Sequence, residues 1–334
     1  MEFKKVVVLG AGSWGTALAQ HLAVNNLPVC LWGRKEEELE SVRKNRENKR
    51  YLPGVILSEK IIPESSLKEA TDNADIIIFA VPSSATRELA SQLIKYSAPI
   101  VPIVSTAKGL EPETNKRASQ IISEIGGDSF GPVSVLSGPT FALEIAKCLP
   151  SAIVLASSDD RFDLKKIARL FHRGTMRVYT SNDLIGVELG GVLKNMVSLA
   201  AGIGDGLGSG HNARAALLTR GLKEISRLIE HEGGKSGTVS GLSGLGDLIL
   251  TATGDLSRNR RFGILLGEGH SIDEAQKIIN QTIESITSAE AAYSIAKKHN
   301  IEAPITEQVA AILRGERTPG EALRHLLTRE QKPE

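Results

Sequence analysis

Lys194 stands in an otherwise apolar, helix-patterned stretch, Gly190-Gly191-Val192-Leu193-Lys194-Asn195-Met196. Burial lowers the proton affinity of an amine, which an acid–base lysine requires. Gly190 and Gly191 lie one turn earlier, so they share its helix face. Each glycine costs a helix about 0.5–1 kcal/mol relative to alanine. A close helix contact or room for a ligand would offset that cost; beside the phosphate-cradle residues downstream, the glycines read as clearance for a small phosphate. Downstream, Asp247 and Thr251 are four residues apart and would share a helix face. Ser257, Arg258 and Asn259 read as a helix start offering backbone donors, a guanidinium and an amide to a phosphate. Lys108 in Thr106-Ala107-Lys108-Gly109-Leu110 follows a strand-like run. So do Gly138 and Thr140 in Ser137-Gly138-Pro139-Thr140-Phe141-Ala142. Open α/β sheets bind ligands at such positions.

A second motif lies near the N-terminus. Gly10-Ala11-Gly12-Ser13-Trp14-Gly15 is G-x-G-x-x-G, placed between a buried strand and a helix as a dinucleotide loop requires. Gly10 makes the turn, Gly12 admits a pyrophosphate close to the backbone, and Gly15 permits tight helix packing. The end of the second strand, Leu31-Trp32-Gly33-Arg34-Lys35, has no acid to hold a ribose 2′-hydroxyl. Arg34 there could pair with a 2′-phosphate, which favours NADP(H), or dual use, over strict NAD(H).

These residues need a scaffold, and the pattern supplies one. Strands are expected at Lys5–Leu9, Val29–Trp32, Ile76–Val81, Ile100–Ser105, Val133–Leu136, Ala152–Ala156 and Arg177–Tyr179, with helices near Thr16–Asn25, Thr86–Lys95 and Asn115–Ile125 between them. Alternation of this kind implies parallel βαβ units in a Rossmann-like doubly wound sheet. After Asp183 the spacing becomes helical and stays so, at 184–203, 212–231, 241–252, 258–266, 272–279, 285–299 and 305–314. Capping boxes mark two later starts, Ser271 with Glu274 and Thr318 with Glu321, the second having Pro319 at the first helical position. The expected class is α/β with an all-α C-terminal domain: residues 1–187 for a dinucleotide, 188–334 for substrate and catalysis. Residues 330–334 read as unstructured.

The totals bound the rest. At 334 residues, two domains is the natural expectation. Forty Lys and Arg against 39 Asp and Glu leave +1, which argues against a nucleic-acid or membrane-surface protein. No stretch reads as a signal peptide or membrane span, so a cytoplasmic protein is expected. Cys30 and Cys148 read as reduced core residues, and the seven histidines as surface or satisfied polar groups without metal spacing. Runs such as 34–38 and 43–50 read as solvated charge.

Read in order, Gly-Ala-Gly-Ser-Trp-Gly, Ala-Val-Pro-Ser, Ala-Lys-Gly-Leu, Ser-Gly-Pro-Thr-Phe-Ala, Gly-Gly-Val-Leu-Lys-Asn, Thr-Arg-Gly-Leu at 219–222, Gly-Leu-Gly-Asp-Leu and Ser-Arg-Asn-Arg resemble the bacterial-type NAD(P)-dependent glycerol-3-phosphate dehydrogenases, from residue 5 to about 327. The resemblance implies reversible hydride transfer between nicotinamide and C2 of sn-glycerol 3-phosphate, giving dihydroxyacetone phosphate, with supply of glycerol 3-phosphate for phospholipids. It places Lys194 as proton acceptor. It places Lys108, Gly138, Thr140, Asp247, Ser257, Arg258 and Asn259 at substrate, and Ser13, Trp14, Arg34, Lys108, Ala142, Arg258, Thr282 and Glu284 at cofactor. Thr253 stands near a frequent cysteine, and Thr282 where an aliphatic residue is frequent.

The residues themselves add Asn195 and Thr251 to the substrate set. They predict that Lys108 and Arg258 place positive charge near Lys194, and that Asp247 orients Lys194 or a substrate hydroxyl. A homodimer is the expected assembly. Two other readings are a related dehydrogenase acting on another hydroxy acid or sugar phosphate, and a non-catalytic NAD(P)-sensing protein.

Overall fold

The computed structural model describes residues 3–96, 100–161 and 163–331. The chain forms two compact units, Met1–Glu188 and Leu189–Glu334.

The first unit is an eight-stranded sheet: β1 (Val6–Leu9), β2 (Val29–Trp32), β3 (Ile61–Glu64), β4 (Ile76–Phe79), β5 (Ile103–Ser105), β6 (Val133–Ser137), β7 (Ser151–Ala156) and β8 (Met176–Ser181). Its helices are α1 (Ser13–Val24), α2 (Glu36–Asn45), α3 (Leu67–Thr71), α4 (Ser83–Ile94), α5 (Ala118–Gly126), α6 (Ala142–Ala146) and α7 (Leu164–Phe171). The strand order is β3-β2-β1-β4-β5-β6-β7-β8, so the order reverses at β1 and β4. A crevice opens outside the strand ends at such a point. The chain leaves β1 there, directly into Gly10–Gly15. Val6 and Val8 join one apolar cluster, Val7 and Leu9 another, so β1 is covered on both faces.

Several elements depart from the expectation. The sheet is parallel except where β7 runs antiparallel to β6. The only helix between them, α6, has five residues and rises about 7.5 Å. It is too short to carry the chain back along a five-residue strand of about 16 Å. The strand expected at Ile100–Ser105 begins at Ile103, after Pro102, which has no N–H to donate. β3 lies at the sheet edge beside β2 and contains Pro63, which an edge strand tolerates. The helix α2 was not expected, but its charges, Glu36–Glu38 in the first turn and Arg43 and Lys44 in the last, do form a solvated face, with only Leu39 and Val42 buried. Cys30 is buried, but Cys148 is exposed at φ 57° after α6.

The connecting helix α8 (Leu184–Gly206) begins in the first unit and runs on into the second. Among the described residues it is the one helix long and apolar enough to cross a bilayer, and 83% of that window is buried inside the protein, as in a soluble core helix. Its Glu188 accepts from Ser119 N (3.0 Å) and from Arg117 Nη1 (2.9 Å), which ties the start of α8 to the start of α5 within the first unit.

Among its described residues the second unit adds only helices: α9 (Gly210–His231), α10 (Asp247–Thr253), α11 (Arg258–Gly267), α12 (Ile272–Ile279), α13 (Glu284–Lys298), α14 (Pro304–Leu313) and α15 (Pro319–Leu327). The stretch expected as one helix over 241–252 is a π-helical turn, Leu242–Gly246, followed by α10. Both capping boxes form, on Ser271 and Thr318. Residues 330 and 331 carry no regular structure, and 332–334 lie outside the described residues.

α14 opens with Pro304 and no capping side chain of its own. Glu224 of α9 takes over: its carboxylate accepts from Ile305 N (2.8 Å), Thr306 N (3.0 Å) and Thr306 Oγ1 (2.9 Å). Burial still outweighs these donors and holds the Glu224 carboxyl above its ordinary value of 4.5. The folded chain therefore binds this proton more tightly than the unfolded chain, so the Glu224 contribution to stability is greatest below pH 4.5 and falls as pH rises through the folded value. Urea unfolding of wild type and Glu224→Gln at several pH values from about 4.5 to 7 checks the sign. The stability advantage of wild type over the variant is expected to shrink as pH rises; an advantage that grows would contradict it.

Candidate active site

In the first unit the glycine loop is built by steric exclusion. Gly10 has φ +124°, and a Cβ there would lie 2.5 Å from Ala80 O. A Cβ on Gly15 would lie 1.9 Å from Gly10 O, yet one on Gly12 would meet nothing within 4 Å. Gly12 is also the N-cap of α1, which has no side-chain cap, so the first-turn N–H groups face a space that a pyrophosphate suits. These are the features a dinucleotide requires, and the loop fits one. Asn48 braces the loop, donating to Ala11 O (2.9 Å) and Thr16 Oγ1 (2.8 Å). It is buried, although it sits in a charge run that reads as solvent-facing. Nothing in the local pattern marks it, since Asn45 is a second uncharged amide in the same run.

Not every expected cofactor residue faces that space. Ser13 Oγ donates to Tyr51 O (2.5 Å), and the Trp14 ring packs against the core cluster, as does Ala142 at the start of α6. Arg34 is exposed, with Glu88 at 3.8 Å. It borders a shallow, half-open groove lined also by Trp32, Val81, Pro82, Ala85 and Leu89. Beyond β5 and β6, Lys108 Nζ donates to Gly138 O (3.0 Å) and Thr140 Oγ1 donates to the same oxygen (3.2 Å). Gly138 has φ +139°, and a Cβ would press on Ile153 Cα at 3.0 Å, so only glycine suits the turn.

The second unit holds the lysine. Lys194 is 4% exposed, and its Nζ donates to Asp247 Oδ1 (2.9 Å) and Thr251 Oγ1 (2.6 Å). Thr251 Oγ1 also lies 3.2 Å from Asp247 Oδ1, so the expected shared face of α10 is formed and turned to α8. The charge expected around Lys194 differs from what touches it within this unit: an acid and a hydroxyl hold the ammonium, and Arg258 is exposed. The reason is solvation: a buried ammonium needs a carboxylate beside it, and removing one partner of such a pair costs about 3–5 kcal/mol. The expected clearance at Gly190 is also corrected. A Cβ there would meet Ser243 Oγ at 3.3 Å and Gly244 N at 3.4 Å, so Gly190 lets α8 press on the π turn that delivers Asp247. Gly244 serves a different contact: its Cβ would lie 2.1 Å from Val239 O, so it lets the π turn fold back on the segment just before it.

Asn195 and Asn259 join α8 to α11 through Asn259 Nδ2 to Asn195 Oδ1 (2.9 Å). Asn259 Oδ1 accepts from Ser285 N (3.1 Å), and Asn195 Nδ2 donates to Glu284 Oε2 (3.3 Å). These three expected ligand contacts thus hold one another. Ser257 caps α11 by accepting from Arg260 N (3.2 Å). Thr282 is exposed in the loop before α13. α11 opens with Arg258, Arg260 and Arg261 and no acid, the wrong sign for the positive end of a helix dipole. Arg260 is matched by Asp205 (2.9 Å), whereas Arg258 and Arg261 are exposed. A phosphate at that helix start would turn an unfavourable field into a favourable one. Among the described residues no group of three or more His, Cys, Asp or Glu is gathered as a metal site.

Comparison with known proteins agrees with this arrangement. Residues 5–163 match the family model of the NAD-dependent glycerol-3-phosphate dehydrogenase N-terminus, and residues 183–324 that of its C-terminus. The chain is 43% identical over 329 residues to the glycerol-3-phosphate dehydrogenase (NAD(P)+) of Shewanella halifaxensis, covering 98% of this chain and 97% of that one. It is 46% identical over 330 residues to that of Carboxydothermus hydrogenoformans, covering 99% and 98%. The crystal structure of glycerol-3-phosphate dehydrogenase from Coxiella burnetii superposes with a TM-score of 0.92 at 40% identity, covering 98% of this chain and 99% of that one. With a glycine loop at the sheet's switch point and a buried, acid-paired lysine on α8, the chain belongs to the NAD-dependent glycerol-3-phosphate dehydrogenase family.

Proposed function

We propose that this protein is an NAD(P)-dependent sn-glycerol-3-phosphate dehydrogenase that interconverts dihydroxyacetone phosphate and glycerol 3-phosphate, with Lys194 as its proton donor and acceptor. The observation that carries the reading is the buried Lys194 ammonium on Asp247 and Thr251, in a unit whose α11 begins with an unopposed arginine. Each half of the chemistry is assigned to its own unit. Residues 1–187 hold the dinucleotide, through Gly10, Gly12, Gly15 and Arg34 and the first-turn backbone N–H groups of Ser13 and Trp14, while Ala142 packs on the core cluster. Residues 188–334 hold the phosphate and move the proton. When bound, the nicotinamide supplies or accepts the hydride at C2.

The chain's own residues do the rest. Lys194, held as an ammonium, donates a hydrogen bond to the C2 carbonyl oxygen and passes its proton there as negative charge grows on that oxygen. In the reverse direction the neutral amine takes the hydroxyl proton. Asp247 and Thr251 fix where Nζ points. Arg258 and the start of α11, with Ser257 as cap, bind the phosphate; Asn259 and Asn195 brace that start and orient Glu284, and Lys108, Gly138, Thr140 and Thr282 complete the ligand set. A preference for NADP(H) rests on Arg34 and on the absence of an acid after β2. We also infer a cytoplasmic enzyme, where nicotinamide and three-carbon phosphate pools are held, supplying glycerol 3-phosphate for phospholipids. A homodimer is supported by the first three turns of α9, where Ala213, Ala215 and Ala216 are exposed and Leu217 and Leu218 half-buried.

Three experiments test this reading. Lys194→Ala is expected to lower turnover by about 10²–10⁴-fold while dinucleotide affinity survives; near-normal turnover removes Lys194 from the reaction, and an NAD(P)-sensing protein would show dinucleotide binding without turnover in the wild type as well. Gly12→Ala meets no neighbour, so its melting temperature should match wild type while NAD(P)H affinity drops at least about tenfold, because the added methyl occupies the pyrophosphate's approach. Titration with NADPH and NADH should show tighter NADPH binding that Arg34→Ala weakens; an NADH preference untouched by that change would overturn the 2′-phosphate assignment.

A further inference from the structure

Four glycines outside the ligand set form a continuous row between α8 and α11. On α8 they are Gly202 and Gly206, and on α11 Gly263 and Gly267, each pair four residues apart and so on one helix face. A Cβ on Gly202 would lie 2.1 Å from Arg260 O, and one on Gly206 2.3 Å from Ile264 O. In return, a Cβ on Gly263 would lie 2.3 Å from Leu199 O, and one on Gly267 2.4 Å from Ile203 O. No side chain fits between the helices: each meets the other's backbone. None of the four has a positive φ, so space and not backbone conformation demands glycine. Glycine also weakens a helix relative to alanine, and four in facing register therefore have a packing reason.

The row ends at the ligand residues. Rising numbers on α8 meet rising numbers on α11, so the helices run parallel. Asn195 is two turns before Gly202, Asn259 is one turn before Gly263, and the two amides bond at 2.9 Å at the open end of the row. Lys194 and Arg258 are the residues immediately before these asparagines. The spacing between α8 and α11 therefore sets the separation of the proton donor from the phosphate-binding helix start.

We infer that Gly202, Gly206, Gly263 and Gly267 are positioning residues that hold Lys194 and Arg258 at the separation of a carbonyl and a phosphate one carbon apart. This rests on the roles given above to Lys194 and Arg258. A single methyl in the row must push the helices apart, and a displacement near 1 Å can cost about 10²-fold.

The experiment is steady-state kinetics of the full chain with dihydroxyacetone phosphate, beside melting temperature and NADPH affinity. Gly263→Ala and Gly202→Ala are expected to raise KM for dihydroxyacetone phosphate by about 10–100-fold while NADPH affinity changes less than about 2-fold. Leu228→Ala, a buried truncation on α9 away from the row, should lower the melting temperature and leave KM unchanged, which separates positioning from general destabilisation. If Gly263→Ala does not fold, Gly267→Ala, one turn further from the asparagines, should raise KM by a smaller factor. A folded row variant with wild-type KM overturns the inference, as does an equal KM rise in Leu228→Ala. Arg258→Ala distinguishes the two levels: a raised KM there with a normal KM in Gly263→Ala removes only the positioning role, whereas a normal KM in Arg258→Ala removes the phosphate assignment itself.

Discussion

An ammonium taken out of water must meet a carboxylate, and this requirement organises the helical unit. Lys194 lies inside α8, where an isolated charge would cost several kcal/mol. Asp247 and Thr251 meet it from α10, and their approach depends on the π turn at Leu242–Gly246. That turn sits close against α8 at Gly190, where a Cβ would come within 3.3 Å of Ser243 Oγ, and folds on itself at Gly244. A lysine that could have been a surface residue snorkelling from a helix is thus held with Nζ aimed and its charge matched, the preorganisation that proton transfer to an oxygen requires. Asp247 contributes through geometry, and its own charge steadies the ammonium form.

Two helix starts carry a field that suits an anion. α1 opens without a capping side chain, and α11 opens with three arginines and no acid. Both leave backbone N–H groups and a positive dipole end in place before any ligand arrives. The contrast with α14 is informative. There Glu224 supplies the negative charge from within the protein and closes the helix start to ligands.

Much of this was legible locally. β1 with its glycine loop, α8 as a long apolar helix, the i, i+4 pair Asp247 and Thr251, and the capping boxes on Ser271 and Thr318 all follow from patterns a few residues long. Other elements were hidden for physical reasons. α2 buries only two apolar residues, so its charges masked it, and β3 carries a proline that is tolerated only at an edge. The reversal at β7 follows from the shortness of α6, which apolar periodicity does not reveal. Asn48 looked like one more polar residue in a charged loop until the fold buried it under the glycine turn.

The amino-acid sequence by itself determined the two kinds of unit, the glycine loop after β1 and the lysine inside an apolar helix, because these depend on residue type and on spacing within a few turns. Tertiary structure alone decided what Lys194 pairs with, since Asp247 lies 53 residues away and the choice of partner is made by packing. It also decided that Asn195, Asn259 and Glu284 brace one another, and that Gly190 is a helix contact in place of clearance. A side chain's partners are set by which surfaces the chain brings together, and no local periodicity carries that information.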